Sequence, residues 1–174
     1  MAPTRSSTLP PEIPPERLRR ARTLRRAGLG VLVLFVGAGL LNRFGSTSAT
    51  VTDVRGDLRL TVTYPSRTRP ALPVKWALSL TSADGFSGPI RVEVNRDYFG
   101  YLDFNNLYPA PDTTENRGDY FVFTFPAPKG ATLNVLFDGR AQPGRAGIAR
   151  GVTRVVGDDG DALAEVDYET EVFP

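Results

Sequence analysis

The side chains best suited to chemistry in this chain are aromatic and polar residues in one segment, DYFGYLDFNNLYPAPDTTENRGD at positions 97–119. Aromatic rings supply contact area at a small cost in conformational entropy, and neighbouring amides and carboxylates supply hydrogen bonds. This combination predicts a contact surface for a partner, and a platform for sugar rings would use the same residue types. The candidate contact residues are Tyr98, Tyr101, Phe104, Asn105, Asn106 and Tyr108.

Burial of part of this segment is the other interpretation of its aromatic residues. If the segment crosses between two sheets, Phe99, Leu102 and Phe104 enter the core, and Tyr101 and Tyr108 are the best candidates for exposure. A loop of this length in a compact domain is more often functional than idle. Contact and burial are therefore both expected within residues 97–119.

Catalytic and metal chemistry have little support in the sequence. The chain contains no His and no Cys, which removes thiol nucleophiles, zinc–thiolate sites and the side chain that changes charge near neutral pH. Lys75 is expected to face outward, which argues against an intramolecular isopeptide bond. Calcium stays open as an alternative, without EF-hand spacing, because hard oxygen donors occur at Asp103, Asn105, Asn106, Asp112 and Glu115. We predict a non-enzymatic protein that needs no cofactor.

Charge is distributed unevenly along the chain. Residues 1–26 hold seven Arg against two Glu, whereas residues 50–174 hold thirteen basic against seventeen acidic residues. Contacts with nucleic-acid phosphates require a basic surface. The mildly acidic C-terminal part therefore argues against nucleic acid as a partner.

The basic N-terminal part predicts contact with a membrane surface. Residues 1–14 are rich in Pro, Ser and Thr and are expected to be a disordered cytoplasmic tail. Residues 15–26 begin with Pro-Glu, which suits the first turn of a helix. This juxtamembrane segment is expected to lie on anionic lipid headgroups through Arg17, Arg19, Arg20, Arg22, Arg25 and Arg26.

Residues 27–44 predict a transmembrane signal-anchor helix. Sixteen residues without charge separate Arg26 from Arg43, and as a helix they extend about 24 Å, so snorkelling arginines must cover the remaining thickness. The excess of Arg on the N-terminal side predicts a single-pass protein of a bacterial cell membrane with a cytoplasmic N-terminus. A signal peptide cleaved near residues 47–49 is the alternative, and it also places the C-terminal part outside.

The C-terminal part predicts an all-β domain. Residues 45–56 are expected to be a polar stalk and residues 57–174 an extracytoplasmic domain, because alternation with period two recurs and no helical period appears. The pattern favours an immunoglobulin-like or fibronectin-like β-sandwich of about seven strands, preceded by the one N-terminal transmembrane helix. The predicted strands lie in DLRLTVTY, VKWALSLT, PIRVEVNR, DYFVFTF, TLNVLFD, IARGVTRVV and ALAEVDYETEVF.

Three stretches of the domain carry a family resemblance over roughly residues 57–174. They are LRLTVTYPSRTRPALPVKW, GFSGPIRVEVNRDYF with LDFNNLYPAP, and the ending VDYETEVFP. In these stretches the chain resembles small, single-pass, membrane-anchored β-sandwich proteins of high-GC bacteria, for which no activity is established. The resemblance implies a companion of small multi-pass membrane proteins and names no functional residues.

The sequence therefore predicts a membrane-anchored, extracytoplasmic interaction module without enzymatic activity. Its expected role is that of an accessory to another envelope protein or multi-pass membrane protein. The alternative is a module that binds cell-wall glycan through the aromatic residues of 97–119.

Overall fold

The computed structural model of the chain describes residues 15–40 and 45–174, with side chains from residue 19 to residue 39 in the first of these ranges. The chain divides near residue 45 into two units. The tail predicted for residues 1–14 lies outside the described residues.

The first unit contains helix α1, Pro15–Leu40. It covers the predicted basic segment and continues through an uncharged run, in which Leu29, Val31 and Leu34 are 61%, 67% and 75% exposed. Within the described ranges, no helix combines the length and the apolarity that crossing a membrane requires. The transmembrane helix predicted for residues 27–44 is thus not found among the described residues, and its last part, 41–44, lies outside them.

The second unit consists of ten strands and one short helix. The strands are β1 Thr47–Arg55, β2 Leu58–Thr68, β3 Pro73–Ser82, β4 Ile90–Asn95, β5 Leu102–Tyr108, β6 Thr113–Arg117, β7 Tyr120–Phe125, β8 Thr132–Ala141, β9 Gly147–Val156 and β10 Ala162–Val172. Helix α2, Arg96–Phe99, follows β4 directly. The seven predicted strands correspond to β2, β3, β4 and β7 to β10.

The strands form two packed layers joined at one place. Hydrogen bonding follows the order β5-β8-β3-β2-β10-β9-β4-β7-β6, and β1 pairs with β2. All ladders are antiparallel except that of β2 with β10, which consists of Arg67 with Glu171 and Thr68 with Val172. We take this short junction as the boundary between two sheets. Sheet I consists of β5, β8, β3, β2 and β1, and sheet II consists of β10, β9, β4, β7 and β6. The prediction of an all-β sandwich is confirmed, with ten strands in place of about seven.

The core lies between the two sheets and is built from alternating residues. On β3 the side chains of Val74, Trp76, Leu78 and Leu80 are all at most 3% exposed, while the residues between them face outward. Rings from opposite sheets meet in the centre, where Phe137 of β8 lies 5.6 Å from Phe123 of β7 between ring centroids. Burial of these apolar surfaces is the main stabilising term for the domain.

A buried hydrogen-bond network ties the sheets together. Trp76 Nε1 on β3 donates to the hydroxyl of Tyr168 on β10 at 2.9 Å, and that hydroxyl also bonds to Thr153 Oγ1 at 2.8 Å. The hydroxyl of Tyr98 on α2 bonds to Thr170 Oγ1 at 2.9 Å. Burial raises the pKa of Tyr98 and of Tyr168 well above the ordinary value for tyrosine, so both stay neutral in the folded domain.

Two segments differ from the sequence prediction in local structure. Residues 47–55, within the segment predicted as a stalk, form β1 and pair with β2 from Arg55 opposite Leu58 to Ser48 opposite Pro65. Threonine is common there, and its branched side chain favours extended backbone although it is polar. The segment predicted as a loop over 97–119 instead contains the end of α2 and strands β5 and β6.

Candidate interaction surface

The outer face of sheet I carries two adjacent rows of uncharged side chains, aligned by the strand register. The first row consists of Thr52, Thr61, Ser79 and Asn134. The second row consists of Thr50, Thr63, Ala77, Leu136 and Tyr108. These nine residues are named the hydroxyl face, because hydroxyl groups are their commonest polar group.

Cross-strand hydrogen bonds order the β1 side of the hydroxyl face. The Oγ1 atoms of Thr50 and Thr63 lie 3.1 Å apart, and those of Thr52 and Thr61 are separated by the same distance. Such threonine pairs stabilise neighbouring strands and restrict the rotamers of both partners. This side of the face is therefore held in a defined arrangement before any partner arrives.

A groove runs along β3 in the middle of the hydroxyl face. Its floor is low because Ala77 and Ser79 are short, while the flanking strands β2 and β8 carry larger side chains. The groove has a volume of about 320 Å³ and is lined mainly by carbon atoms. Leu136 and Tyr108 border it and are 43% and 76% exposed. A substantial apolar surface is thus left open on this face.

The outer face of sheet II is built in the opposite way, from charged side chains in contact with one another. Arg154 Nε donates to Glu93 Oε2 at 2.6 Å, and its guanidinium lies 4.0 Å from the centroid of the Tyr120 ring. Val122 pairs with Glu93 across the strands and is only 2% exposed, so apolar surface is covered here. Partial burial alone would lower the pKa of Arg154, but the hydrogen bond and charge of Glu93 raise it above its ordinary value.

The contrast between the two faces identifies the hydroxyl face as the candidate interaction surface. Protein interfaces are depleted in charge at their centre and enriched in aromatic residues, and open apolar patches on a folded domain mark contact sites. The hydroxyl face carries no charged side chain, and it leaves Leu136 and the ring of Tyr108 exposed. Around Glu93 and Arg154 the outer face of sheet II is charged, its apolar residue Val122 is covered, and the Tyr120 ring is taken up by the Arg154 guanidinium.

The structure separates the aromatic residues predicted as contacts. Tyr98 is fully buried, so it does not lie on the surface. Phe104 packs on the core, with its ring centroid 4.3 Å from Phe99 and 4.8 Å from Phe137. Tyr101 is half-buried under the guanidinium of Arg145. The expected burial of Phe99, Leu102 and Phe104 is borne out, since Leu102 is 2% exposed and the two Phe rings pack against the core.

Only Tyr108 among the predicted contact residues joins the hydroxyl face. Asn105 and Asn106 are exposed on β5, where a register shift between Phe104 and Asn106 interrupts the ladder. Asn106 Oδ1 accepts a hydrogen bond from the backbone amide of Leu107 at 3.0 Å. The face residues that the sequence prediction missed lie on β1, β2, β3 and β8. The sequence feature that could have identified them is an uncharged residue at the outward position of each alternating strand.

The arginines predicted to contact lipid lie on α1. The backbone of Arg17 is part of the helix, and its side chain is not among those that the structure describes. The side chains of the other predicted lipid contacts are exposed, namely Arg19, Arg20, Arg22, Arg25 and Arg26. Nothing in the fold tests the lipid contact, which stays a prediction.

The oxygen donors considered for calcium are spread along β5, β6 and the turn between them. Asp103 Oδ2 pairs with Arg140 Nη2 at 3.1 Å, and Asp112 and Glu115 are exposed. In the part of the chain that the structure describes, no three acidic side chains are grouped as metal ligands would be.

Comparisons with known proteins reach only a general likeness. No family model and no curated protein sequence matches the chain. Among solved structures, a CARDB domain from Pyrococcus furiosus in complex with di-metal ions is 9% identical, covers 74% of this chain and 94% of its own, and has a TM-score of 0.40. The seventh ScaB type I cohesin from Pseudobacteroides cellulosolvens is 10% identical, covers 62% of this chain and 86% of its own, and has a TM-score of 0.39. The PmoD soluble domain from Methylocystis is 13% identical, covers 70% of this chain and 96% of its own, and has a TM-score of 0.34. With TM-scores below 0.5, these similarities assign no role to any residue.

Proposed function

We propose that the chain is a non-enzymatic, membrane-anchored interaction module whose extracytoplasmic domain binds another envelope protein through the hydroxyl face. The observation that carries the proposal is the contrast between the two outer faces of the sandwich. Around Glu93 and Arg154 sheet II covers its apolar positions with paired charges, and its exposed Ile148 lies opposite Glu171 on the neighbouring strand. Sheet I leaves Leu136 and Tyr108 open beside uncharged hydroxyl groups. A face that remained free in the cell would gain solubility from charge, and this one has none at its centre.

The proposed membrane attachment rests on helix α1. From Ala27 to Leu40 the helix has no charged residue, and the large side chains described in this run are at least half exposed. Exposed apolar surface gains about 25 cal/mol per Å² when it leaves water, so this half of the helix favours a lipid environment. The exposed arginines before it suit anionic headgroups, and their excess favours a cytoplasmic N-terminus.

Glycan binding through the segment 97–119 has less support than protein binding. A sugar platform needs several exposed rings, but Tyr98 and Phe104 are taken up by the core. Tyr108 is exposed, yet the groove beside it is lined mainly by carbon rather than by free hydrogen-bonding groups. We therefore treat retention on purified cell wall as a result that would contradict the proposal.

The test of the binding face is crosslinking in intact membranes followed by affinity purification of the full chain. The double variant Thr61→Glu/Ser79→Glu places two charges on the hydroxyl face, and Thr124→Glu places one on the outer face of sheet II. We expect the wild type and Thr124→Glu to recover one membrane protein in stoichiometric amount, and the double variant to lose it. Recovery by the double variant, or no such protein with the wild type, would contradict the proposal.

The proposed topology has a separate test. Protease added to spheroplasts is expected to digest residues 46–174 and to spare the N-terminal tail. The opposite pattern would contradict the orientation. Sequencing the mature N-terminus distinguishes a retained helix from cleavage near residues 47–49.

A further inference from the structure

We infer that the groove along β3 is the anchor pocket of this interface and receives an apolar side chain from an uncharged segment of the partner protein. The inference rests on the proposed function, because it assigns the chemistry of the partner at the same face. Three properties of the groove carry it: its shape, its lack of charge and the way its hydroxyl groups are already used.

The shape of the groove suits a single large apolar side chain. The flanking strands β2 and β8 lie two strand spacings apart, roughly 9.6 Å, with the short side chains of Ala77 and Ser79 between them. A cavity of about 150 Å³ accepts a benzene ring. The volume of about 320 Å³ in this groove is therefore sufficient for an aliphatic or aromatic side chain with part of its backbone.

Charge complementarity selects an uncharged partner segment. No carboxylate, ammonium or guanidinium group is found among the described residues that line the groove. By register, the nearest charged residues on this face are Arg59 in the next row on one side, and Lys75 and Asp138 in the next row on the other. A charged partner group in the groove would lose part of its water without gaining a counter-ion from the lining, which is unfavourable. Electrostatics thus exclude a charged anchor.

The use of the hydroxyl groups favours a protein side chain over a sugar. Thr61 and Thr63 line the groove, but their hydroxyls bond to Thr52 and Thr50 on the far side from it. Ser79 and Asn134 are the remaining hydroxyl and amide groups in the lining apart from Tyr108. A sugar ring presents several hydroxyls that each need a partner, whereas an apolar side chain needs only the carbon surface that dominates the groove.

The experiment uses substitutions at Ala77, which lies on the floor and points away from the core. Ala77→Leu fills the groove without adding charge. Ala77→Asp and Ala77→Asn have nearly the same size and differ in charge. Thr124→Leu on the outer face of sheet II is the matched control for added volume. Urea unfolding, monitored by the fluorescence of Trp76, serves as the control for folding. A variant whose midpoint equals that of the wild type is folded.

The probe is the photocrosslinker p-benzoylphenylalanine, placed in the full chain in its own membranes. It is introduced at Thr132, which is exposed beyond one end of the groove, and separately at Asp167 on the outer face of sheet II. We expect a crosslink from position 132 to one membrane protein, mapped to an uncharged stretch with an apolar residue. Ala77→Leu and Ala77→Asp should lower its yield at least tenfold, Ala77→Asn less than threefold, and Thr124→Leu not at all.

The outcomes separate the inference from the proposed function. Full crosslinking with Ala77→Leu and Ala77→Asp would overturn the anchor pocket while leaving the hydroxyl face as the interface. A crosslink mapped to a charged stretch, or to glycan, would overturn the assigned chemistry. Crosslinking from position 167 without crosslinking from 132, or from neither position, would overturn both the inference and the proposed face.

Discussion

Removal of the Tyr168 hydroxyl is expected to destabilise the domain more than removal of the Tyr98 hydroxyl, although both tyrosines are buried. In Tyr168→Phe, the indole N–H of Trp76 loses its acceptor and Thr153 loses a bond, at positions that are 1% and 0% exposed. In Tyr98→Phe, Thr170 keeps its hydrogen bond to the backbone oxygen of Pro65 at 2.6 Å. The first variant therefore leaves a buried donor unpaired and the second does not.

The magnitudes follow from that difference. A buried polar group without a partner costs about 1–3 kcal/mol, and a lost hydrogen bond with no unpaired group left behind costs about 1 kcal/mol. We expect Tyr168→Phe to lower the free energy of unfolding by about 2–4 kcal/mol and Tyr98→Phe by about 1 kcal/mol. The denaturant dependence should be unchanged in both, because neither substitution alters the surface exposed on unfolding.

Urea unfolding followed by tryptophan fluorescence measures both variants. The chain has one tryptophan, Trp76, so the signal arises at the network itself. Circular dichroism provides a second probe that does not depend on the indole. Equal losses in the two variants, or a larger loss in Tyr98→Phe, would refute the reasoning that the unpaired indole N–H dominates the cost.

Three further predictions concern the same domain. Above about pH 10 the tyrosines of the unfolded chain release protons that the buried Tyr98 and Tyr168 retain in the folded domain. The free energy of unfolding should therefore fall by about 1.4 kcal/mol per pH unit for each of the two tyrosines. In urea titrations at pH 9–12, Tyr98→Phe should make this fall less steep. Gly151→Ala should cost about 1–3 kcal/mol in thermal unfolding, because the new Cβ meets the Tyr168 ring, and an unchanged melting temperature would contradict that contact. Arg154→Ala should cost about 2–4 kcal/mol in urea, since Glu93 then stays buried without a counter-ion, and Glu93→Gln/Arg154→Ala should recover part of that loss.

Much of the sandwich was predictable because apolar alternation is a local property of the chain. Leu60 and Val62 on β2, and Leu133 and Val135 on β8, show period two in the sequence and are buried in the fold. Strand β1 was missed because its inward residues are only half-buried and include the polar Thr47 and Asp53, while the apolar Val54 faces outward. In β6 all five residues are exposed, so no alternation exists to be detected.

The candidate site was predictable only in part, because its geometry depends on contacts between distant strands. The outward direction of Thr61 follows from its neighbours in the sequence, but its alignment with Ser79 and Asn134 depends on strand order and register. Tyr98 and Tyr108 are the same residue type in one segment, and one is buried while the other is 76% exposed. Tertiary packing of α2 on the core causes the difference in exposure between the two tyrosines, and no local sequence pattern predicts it.

Cysteine labelling in intact membranes tests the central claim most directly. The chain contains no cysteine, so single replacements report one position each. We predict that Ser79→Cys and Asn134→Cys react with a maleimide at least tenfold more slowly in the host membrane than in the purified full chain. Asp167→Cys on the outer face of sheet II should react equally fast in both. Equal rates in both settings at positions 79 and 134, or protection at position 167 instead, would contradict binding through the hydroxyl face.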